Sequence, residues 1–160
     1  MKTRSVLKFA AAALVLLVLV CFAFAACGTE NTESDETPQT EAGMKISVKV
    51  GDYEAEATLA DTEAAKEFAA MLPLTLGMSE LNGNEKYYYL DGSLSASATR
   101  PGNIKCGDIM LYGTSCVVLF YEDFATSYSY TPLGRIDDPD GLAQALGSGS
   151  VTVTFAPTEG

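Results

Sequence analysis

Six consecutive apolar residues, Cys116-Val117-Val118-Leu119-Phe120-Tyr121, constrain this chain more than any other stretch. A strand with one wet face alternates apolar and polar residues, and this run does not alternate, so both of its faces need cover. It is too short to favour a buried helix. Gly113-Thr114-Ser115 precedes it, and before that break comes a second apolar run, Ile109 to Tyr112. Two β-rich runs around a short Gly-containing break predict an antiparallel hairpin. The surrounding stretch from Ile104 to Ile136 therefore reads as the centre of the fold.

The neighbouring segments supply the cover. Ile46, Val48 and Val50 alternate with Lys45, Ser47 and Lys49, Gly51-Asp52 turns the chain, and Tyr53, Ala55, Ala57 and Leu59 alternate with Glu54, Glu56 and Thr58. This is a half-buried hairpin in which Lys–Glu pairs can form across the strands. Asp61 or Thr62 caps a helix whose apolar face is Ala65, Phe68, Ala69 and Leu72, and Pro73 ends it. Leu74 to Met78, Lys86 to Leu90 after the Asn82-Gly83-Asn84 turn, Tyr128 to Ile136, and Val151 to Phe155 add further extended pieces. Asp138-Pro139-Asp140 reads as the start of a second short helix with Pro at its first position, stopped by Gly147. The tally is about eight strands and two short helices. The helices are too few and too short to cover both faces of an open sheet, so a mainly β fold is expected: a closed barrel with helices plugging its ends.

Charge and composition remove several functional classes. The formal net charge is −11 over 160 residues, and the acids are dispersed apart from the run after Cys27. Phosphate neutralisation needs clusters of Lys and Arg, so no nucleic-acid partner is expected. The chain has no His and no Trp. Without His there is no Ser-His-Asp or Cys-His catalysis, and the commonest zinc ligand is missing. No phosphate loop and no metal-ligand cluster stand out, and no cofactor is expected. Ser97, Ser127 and Ser129 lack a base, and Glu122-Asp123 reads as a solvated turn, so no catalytic residue is assigned.

The first residues point to export. Lys2, Arg4 and Lys8 precede an almost wholly apolar run from Phe9 to Ala26, the pattern of a secretory signal, and the run is long enough that a membrane-spanning helix is the alternative. Ala25-Ala26-Cys27-Gly28 resembles the lipobox of bacterial lipoproteins, with Phe24 where an aliphatic residue is usual. The resemblance implies cleavage before Cys27 and a diacylglycerol on its thiol. Residues 28 to 43 are polar, acidic and rich in Thr and Glu, which suits a disordered tether. The expected organisation is a lipoprotein signal peptide over 1–26, a lipid-anchored acidic linker over 27–43, a barrel domain over 44–156 and a tail over 157–160. The expected place is the outer face of the bacterial cell membrane, with the membrane itself as a partner. Cys106 and Cys116 remain in the domain. The hairpin puts Cys106 about 20 Å from Cys116, beyond disulfide reach, so two free thiols are expected.

Four segments carry a wider resemblance: Asn82-Gly83-Asn84-Glu85-Lys86-Tyr87-Tyr88, Arg100-Pro101-Gly102, Gly107-Asp108-Ile109-Met110-Leu111-Tyr112-Gly113, and Tyr128-Ser129-Tyr130-Thr131-Pro132-Leu133-Gly134-Arg135-Ile136. Together they are similar to a family of small prokaryotic cyclophilin-like proteins, over residues 44 to 155. The resemblance implies the cyclophilin barrel, in agreement with the count of elements. Activity does not follow from a fold. True cyclophilins are prolyl isomerases whose site resembles a strand-borne Phe-His-Arg segment, a Gln-Gly-Gly-Asp segment, and a Trp and a His around the proline. This sequence has none of these.

The candidate ligand pocket is Arg100, Tyr88, Phe124, Tyr128 and Tyr130. The 91–103 segment is long for a hairpin loop, and such loops in compact domains are often functional. Arg100 on it either orients a peptide or anionic ligand through its planar donors or pairs with an acid such as Asp91. The aromatic residues either line a cavity at a barrel mouth or pack under a loop. Arg135 and Asp137 are expected as a surface pair. Three functions are open at this stage: a tethered binding module for a peptide or small ligand, a prolyl isomerase acting on envelope or secreted proteins, and a non-catalytic structural or adaptor lipoprotein.

Overall fold

The computed structural model describes residues 43–158. The expected signal peptide, Cys27 and nearly all of the linker lie outside the described residues. Ten strands and two helices follow in the order β1 (Lys45–Val50), β2 (Tyr53–Leu59), α1 (Glu63–Ala70), β3 (Leu74–Leu81), β4 (Glu85–Tyr89), β5 (Asn103–Ile104), β6 (Asp108–Tyr112), β7 (Cys116–Phe120), β8 (Phe124–Ala125), β9 (Thr131–Ile136), α2 (Leu142–Leu146) and β10 (Val151–Pro157). Eight of the strands close into an antiparallel barrel in the order β1-β10-β3-β4-β7-β6-β9-β2. The other two, β5 and β8, form a small ribbon of their own. β10 runs one residue past the expected end of the domain, through Pro157, and the Thr158 hydroxyl donates to the Lys45 carbonyl.

Alternation sets the interior. Ile46, Val48 and Val50 of β1, Ala57 and Leu59 of β2, Leu76 and Met78 of β3, and Val153 and Phe155 of β10 share one buried cluster. Val117 and Leu119 of β7, with Tyr121 just beyond it, join them. The intervening residues of the same run, Cys116, Val118 and Phe120, point the other way and form a second cluster with Ile104, Met110 and Tyr130. The need for cover on both faces is met by the barrel interior on one side and the β5–β8 ribbon on the other.

The helices close opposite ends. Phe155 pairs with Leu74 at one end of the β3–β10 ladder, and Val151 pairs with Met78 at the other. α1 leads into β3 at the first end, where Phe68 meets Phe155 edge-on with centroids 5.4 Å apart. Thr62 is its cap, with its hydroxyl accepting from the Ala65 N–H at 3.1 Å. α2 leads into β10 at the other end and contributes Leu142 and Leu146 to the interior. It begins later than expected. Pro139 lies outside it, and Gly141 takes the cap position at φ 82°, a left-handed geometry that suits glycine.

Closure depends on a short seam between β2 and β9, with Leu59 opposite Gly134. A Cβ at Gly134 would stand 2.7 Å from the Thr58 carbonyl oxygen, so only glycine lets the strands meet there. Nearby, the β6–β9 register shifts between Ile109 and Met110, which face Gly134 and Pro132. Leu133 is the extra residue of a β-bulge. The bulge explains how Leu133 and Ile136, three residues apart, both face the interior. It also accommodates Pro132, which has no N–H for the ladder.

One expected pair, Arg135 with Asp137, does not form. Arg135 sits opposite Asp108 across β6–β9, and its Nε lies 3.7 Å from that carboxylate rather than beside Asp137. Asp137 instead accepts from Lys45 and Thr58, at 2.5 and 2.6 Å. Strand register places each partner: Lys45 faces Thr58, and Thr58 faces Arg135. The expected Lys–Glu pairing across the first hairpin occurs between Lys49 and Glu54, at 3.1 Å. Tyr112 and Cys116 flank the central turn, and both Cys106 and Cys116 are free thiols.

Candidate functional site

The outward face of β4, β7 and β6 bears a cavity of about 480 Å³. Its floor is Cys116 and Val118 of β7, and its walls include Tyr87 and Tyr89 of β4, Tyr112 at the end of β6, the residues from Phe124 to Tyr128, and Tyr130. β4 alternation decides which tyrosines take part. Tyr87 lies opposite Val118 and Tyr89 opposite Cys116, all facing outward. Tyr88 lies opposite Val117 and packs against the barrel interior.

Aromatic contacts fix the walls. The Phe120 ring is fully buried beneath them, with centroids 5.6 Å from Phe124 and 5.5 Å from Tyr130. Tyr112 meets Tyr128 edge-on at 6.1 Å and Tyr130 at 5.7 Å with a 52° tilt. Tyr87 meets Tyr89 edge-on at 5.9 Å. Such tilted and edge-on pairs are the favoured geometries of the ring quadrupole. Burial, with the charge of Glu85 next in size, pushes the Tyr130 hydroxyl up to about 12. Tyr128 stays 62% exposed at the rim.

The five expected residues therefore separate. Phe124, Tyr128 and Tyr130 line the cavity, whereas Tyr88 and Arg100 do not. The cavity lies on the side wall of the barrel, not at its mouth. Arg100 is exposed, and no acid among the described residues lies within 4 Å of its guanidinium, Asp91 included. The loop that carries it is anchored along its length. Ser95 donates to Glu67 through both its N–H and its hydroxyl, the Ser97 N–H donates to the Thr131 hydroxyl, and Thr99 and Tyr130 exchange both backbone bonds at 2.9 Å. The Thr126 N–H donates to the Gly102 carbonyl, which ties this loop to the cavity wall. Glu122 and Asp123 are exposed, as expected of a solvated turn, and Asp123 accepts from Lys105 and from the Cys106 N–H at the end of the ribbon.

Sequence reasoning missed Tyr87, Tyr89, Tyr112 and Glu85. The signal was present in part, because Tyr87 and Tyr89 must face away from Tyr88. What was lacking was the register that sets them against the outward residues of β7.

A second polar group lies at the α2 end of the barrel. Lys86 shares the inward parity of Tyr88 and is fully buried. Its ammonium pairs with Glu80 and donates to the carbonyls of Gly147 at 2.7 Å and Gly149 at 2.8 Å. It also lies 5.2 Å from the centre of the Tyr121 ring, whose hydroxyl donates to Glu80 at 2.8 Å. Among the described residues no group of three or more acids and thiols is arranged to hold a metal.

A search of curated proteins returns no match. Among solved structures, the solution structure of a hypothetical protein from Archaeoglobus fulgidus, AF2241, superimposes with a TM-score of 0.50 at 14% identity, covering 76% of this chain and 99% of that one. That likeness concerns the fold alone. The family model described as the cyclophilin-like family matches residues 48–156. Since the match begins within β1 and ends within β10, it takes in every strand of the barrel, and the chain belongs to the cyclophilin-like family.

Proposed function

We propose that this protein is a membrane-tethered binding module whose barrel captures a peptide or small ligand in the side-wall cavity. The observation that carries the reading is the cavity itself. Its volume lies within the range of ligand sites, and Tyr and Phe rings line it together with a smaller set of polar side chains. Five of the eight tyrosines line it, and the chain has no Trp. Ligand binding is therefore expected to change the intrinsic tyrosine emission. Fragment and peptide libraries titrated into the full chain, purified in a neutral maltoside detergent, test the reading. A saturable emission change that Tyr128→Ala weakens supports it, and no saturable change across both libraries removes it.

The tether follows from the sequence before the barrel. Cys27 receives the lipid, and the acidic segment after it holds the domain outside the cell. Radiolabelled palmitate is expected to enter the wild-type chain in a bacterial host and not Cys27→Ser. Equal labelling of the two would overturn the anchor.

Prolyl isomerisation is a weaker reading of the same cavity. An aromatic wall suits a proline ring, but none of the lining residues is cationic and Arg100 is elsewhere. Uncatalysed isomerisation takes tens to hundreds of seconds, so even modest catalysis is measurable. A coupled assay is expected to show no acceleration at high protein concentration. Acceleration lost in Phe124→Ala would establish the isomerase instead.

A further inference from the structure

Glu85 is the charged side chain of the cavity, and no Lys or Arg lines it. Four acids among the described residues are at least partly buried: Glu67, Glu80, Glu85 and Asp108. Glu67 accepts from the Ser95 N–H and hydroxyl. Glu80 is paired with Lys86 and Tyr121, and Asp108 accepts from the Lys105 N–H and faces Arg135. Glu85 has neither an ion pair nor a side-chain hydrogen bond among the described residues. Register holds it in the site. It opens β4 on the same face as Tyr87 and Tyr89, directly opposite Phe120 of β7, whose ring carries Tyr130. A carboxylate withdrawn from water without a partner is unfavourable, and a neighbouring cation relieves that cost.

The tyrosines supply the complementary part. Rings set nearly perpendicular to one another, as in the Tyr87–Tyr89 and Tyr112–Tyr128 pairs, turn faces in more than one direction. Each face is the negative end of the ring quadrupole and attracts an ammonium group, more strongly where water is excluded. The formal net charge of −11 adds a field that draws cations toward the surface. An anion would meet Glu85 with no compensating charge, and a neutral ligand would leave that carboxylate without a counter-charge.

We propose that the cavity is selective for organic cations, an ammonium or alkylated ammonium group seated among the tyrosine rings with Glu85 as its counter-charge. This rests on the reading of the side wall as a ligand site and names the chemistry of its ligand. A free amine and a lysine-like side chain of a larger molecule share that chemistry.

The test uses two cations, choline and n-butylammonium, with their neutral counterparts 3,3-dimethylbutan-1-ol and pentan-1-ol. Each is titrated into the full chain in maltoside detergent and followed by tyrosine emission and calorimetry. Each cation is expected to bind about tenfold more tightly than its counterpart, a difference within the reach of a desolvated cation–π contact with a counter-charge. Glu85→Gln should remove most of that preference while leaving the alcohols unchanged. Glu122→Gln, an exposed acid away from the cavity wall, should leave it intact. Unchanged circular dichroism of Glu85→Gln confirms that folding is preserved. N-acetyl-lysine amide binding as tightly as n-butylammonium identifies the group as one a peptide can present, and its exclusion confines the ligand to small free amines. If the alcohols bind as tightly as the cations, the cation inference is overturned and the pocket reading survives. If none of the four probes shifts the emission or releases heat up to about 100 mM, roughly a hundredfold weaker than a 1 mM site, the cation inference is overturned, and the pocket reading stands or falls with the libraries.

Discussion

Lys86→Ala is expected to destabilise the barrel by about 3–5 kcal/mol in urea denaturation, the range for removing one partner from a buried ion pair. The substitution strands three acceptors. Glu80 loses its counter-charge, and the carbonyls of Gly147 and Gly149 lose the donor that joins the end of α2 to β4. It also leaves a void under the Tyr121 ring. Lys86→Met fills most of that void, so its cost should be smaller, and Lys86→Met combined with Glu80→Gln should recover most of the loss. Nearly equal costs for the single and double variants would show that the lysine acts by volume and not by charge.

The same group gives the domain a pH profile. Burial pushes the Glu80 carboxyl up, but the Lys86 ammonium, the Tyr121 hydroxyl and the Gly83 N–H outweigh it and hold it below its ordinary value of 4.5. A depressed carboxyl binds its proton less readily in the folded state than in the unfolded one. Its contribution is therefore present above pH 4.5 and lost as pH falls through the folded value. Tyr121 has the opposite sign: burial and its bond to Glu80 push it up to about 12. Its contribution is complete below pH 10 and is lost as pH rises toward 12. Wild-type stability should fall at both extremes. Glu80→Gln should flatten the acid limb, and an unchanged acid limb would remove Glu80 as its source.

Alternation and turn chemistry made the barrel legible. The first hairpin, the Asn82-Gly83-Asn84 turn and the central hairpin depend on residues close in sequence, and each forms where local pattern places it. The run from Cys116 to Tyr121 announced that both of its faces are covered, but not which parity faces the interior. That choice is made by distant strands, and it decides whether Tyr88 or its two neighbours reach the cavity. β5 and β8 have two residues each, too few for any period to show. The burial of Lys86 is illegible for a related reason: beside Glu80, its two carbonyl acceptors lie on a glycine-rich turn more than sixty positions away. Arg100 followed a loop whose path is set by Glu67, Thr131 and Tyr130, none of which signals that role in sequence.

Phe120→Ala tests whether the side wall is a second core in its own right. The ring is fully buried and joins Phe124 to Tyr130, so its loss should cost about 3–5 kcal/mol, the usual range for truncating a buried Phe. Phe155→Ala, inside the barrel against Phe68, should cost a similar amount. The two are distinguished by where the damage falls. Phe120→Ala removes the support under Phe124, so the ribbon of β5 and β8 should open, with faster hydrogen exchange at the Thr126 N–H that bonds to Gly102. Tyrosine emission should change with it. Phe155→Ala should leave that exchange rate and the emission close to wild type, because its cluster is built from the opposite faces of the strands. Where Phe120→Ala proves too unstable to purify, Phe120→Leu should show the same pattern at lower cost. If exchange at Thr126 is no faster in the Phe120 variants than in Phe155→Ala, the two clusters unfold as one, and the cavity wall has no stability separate from that of the barrel.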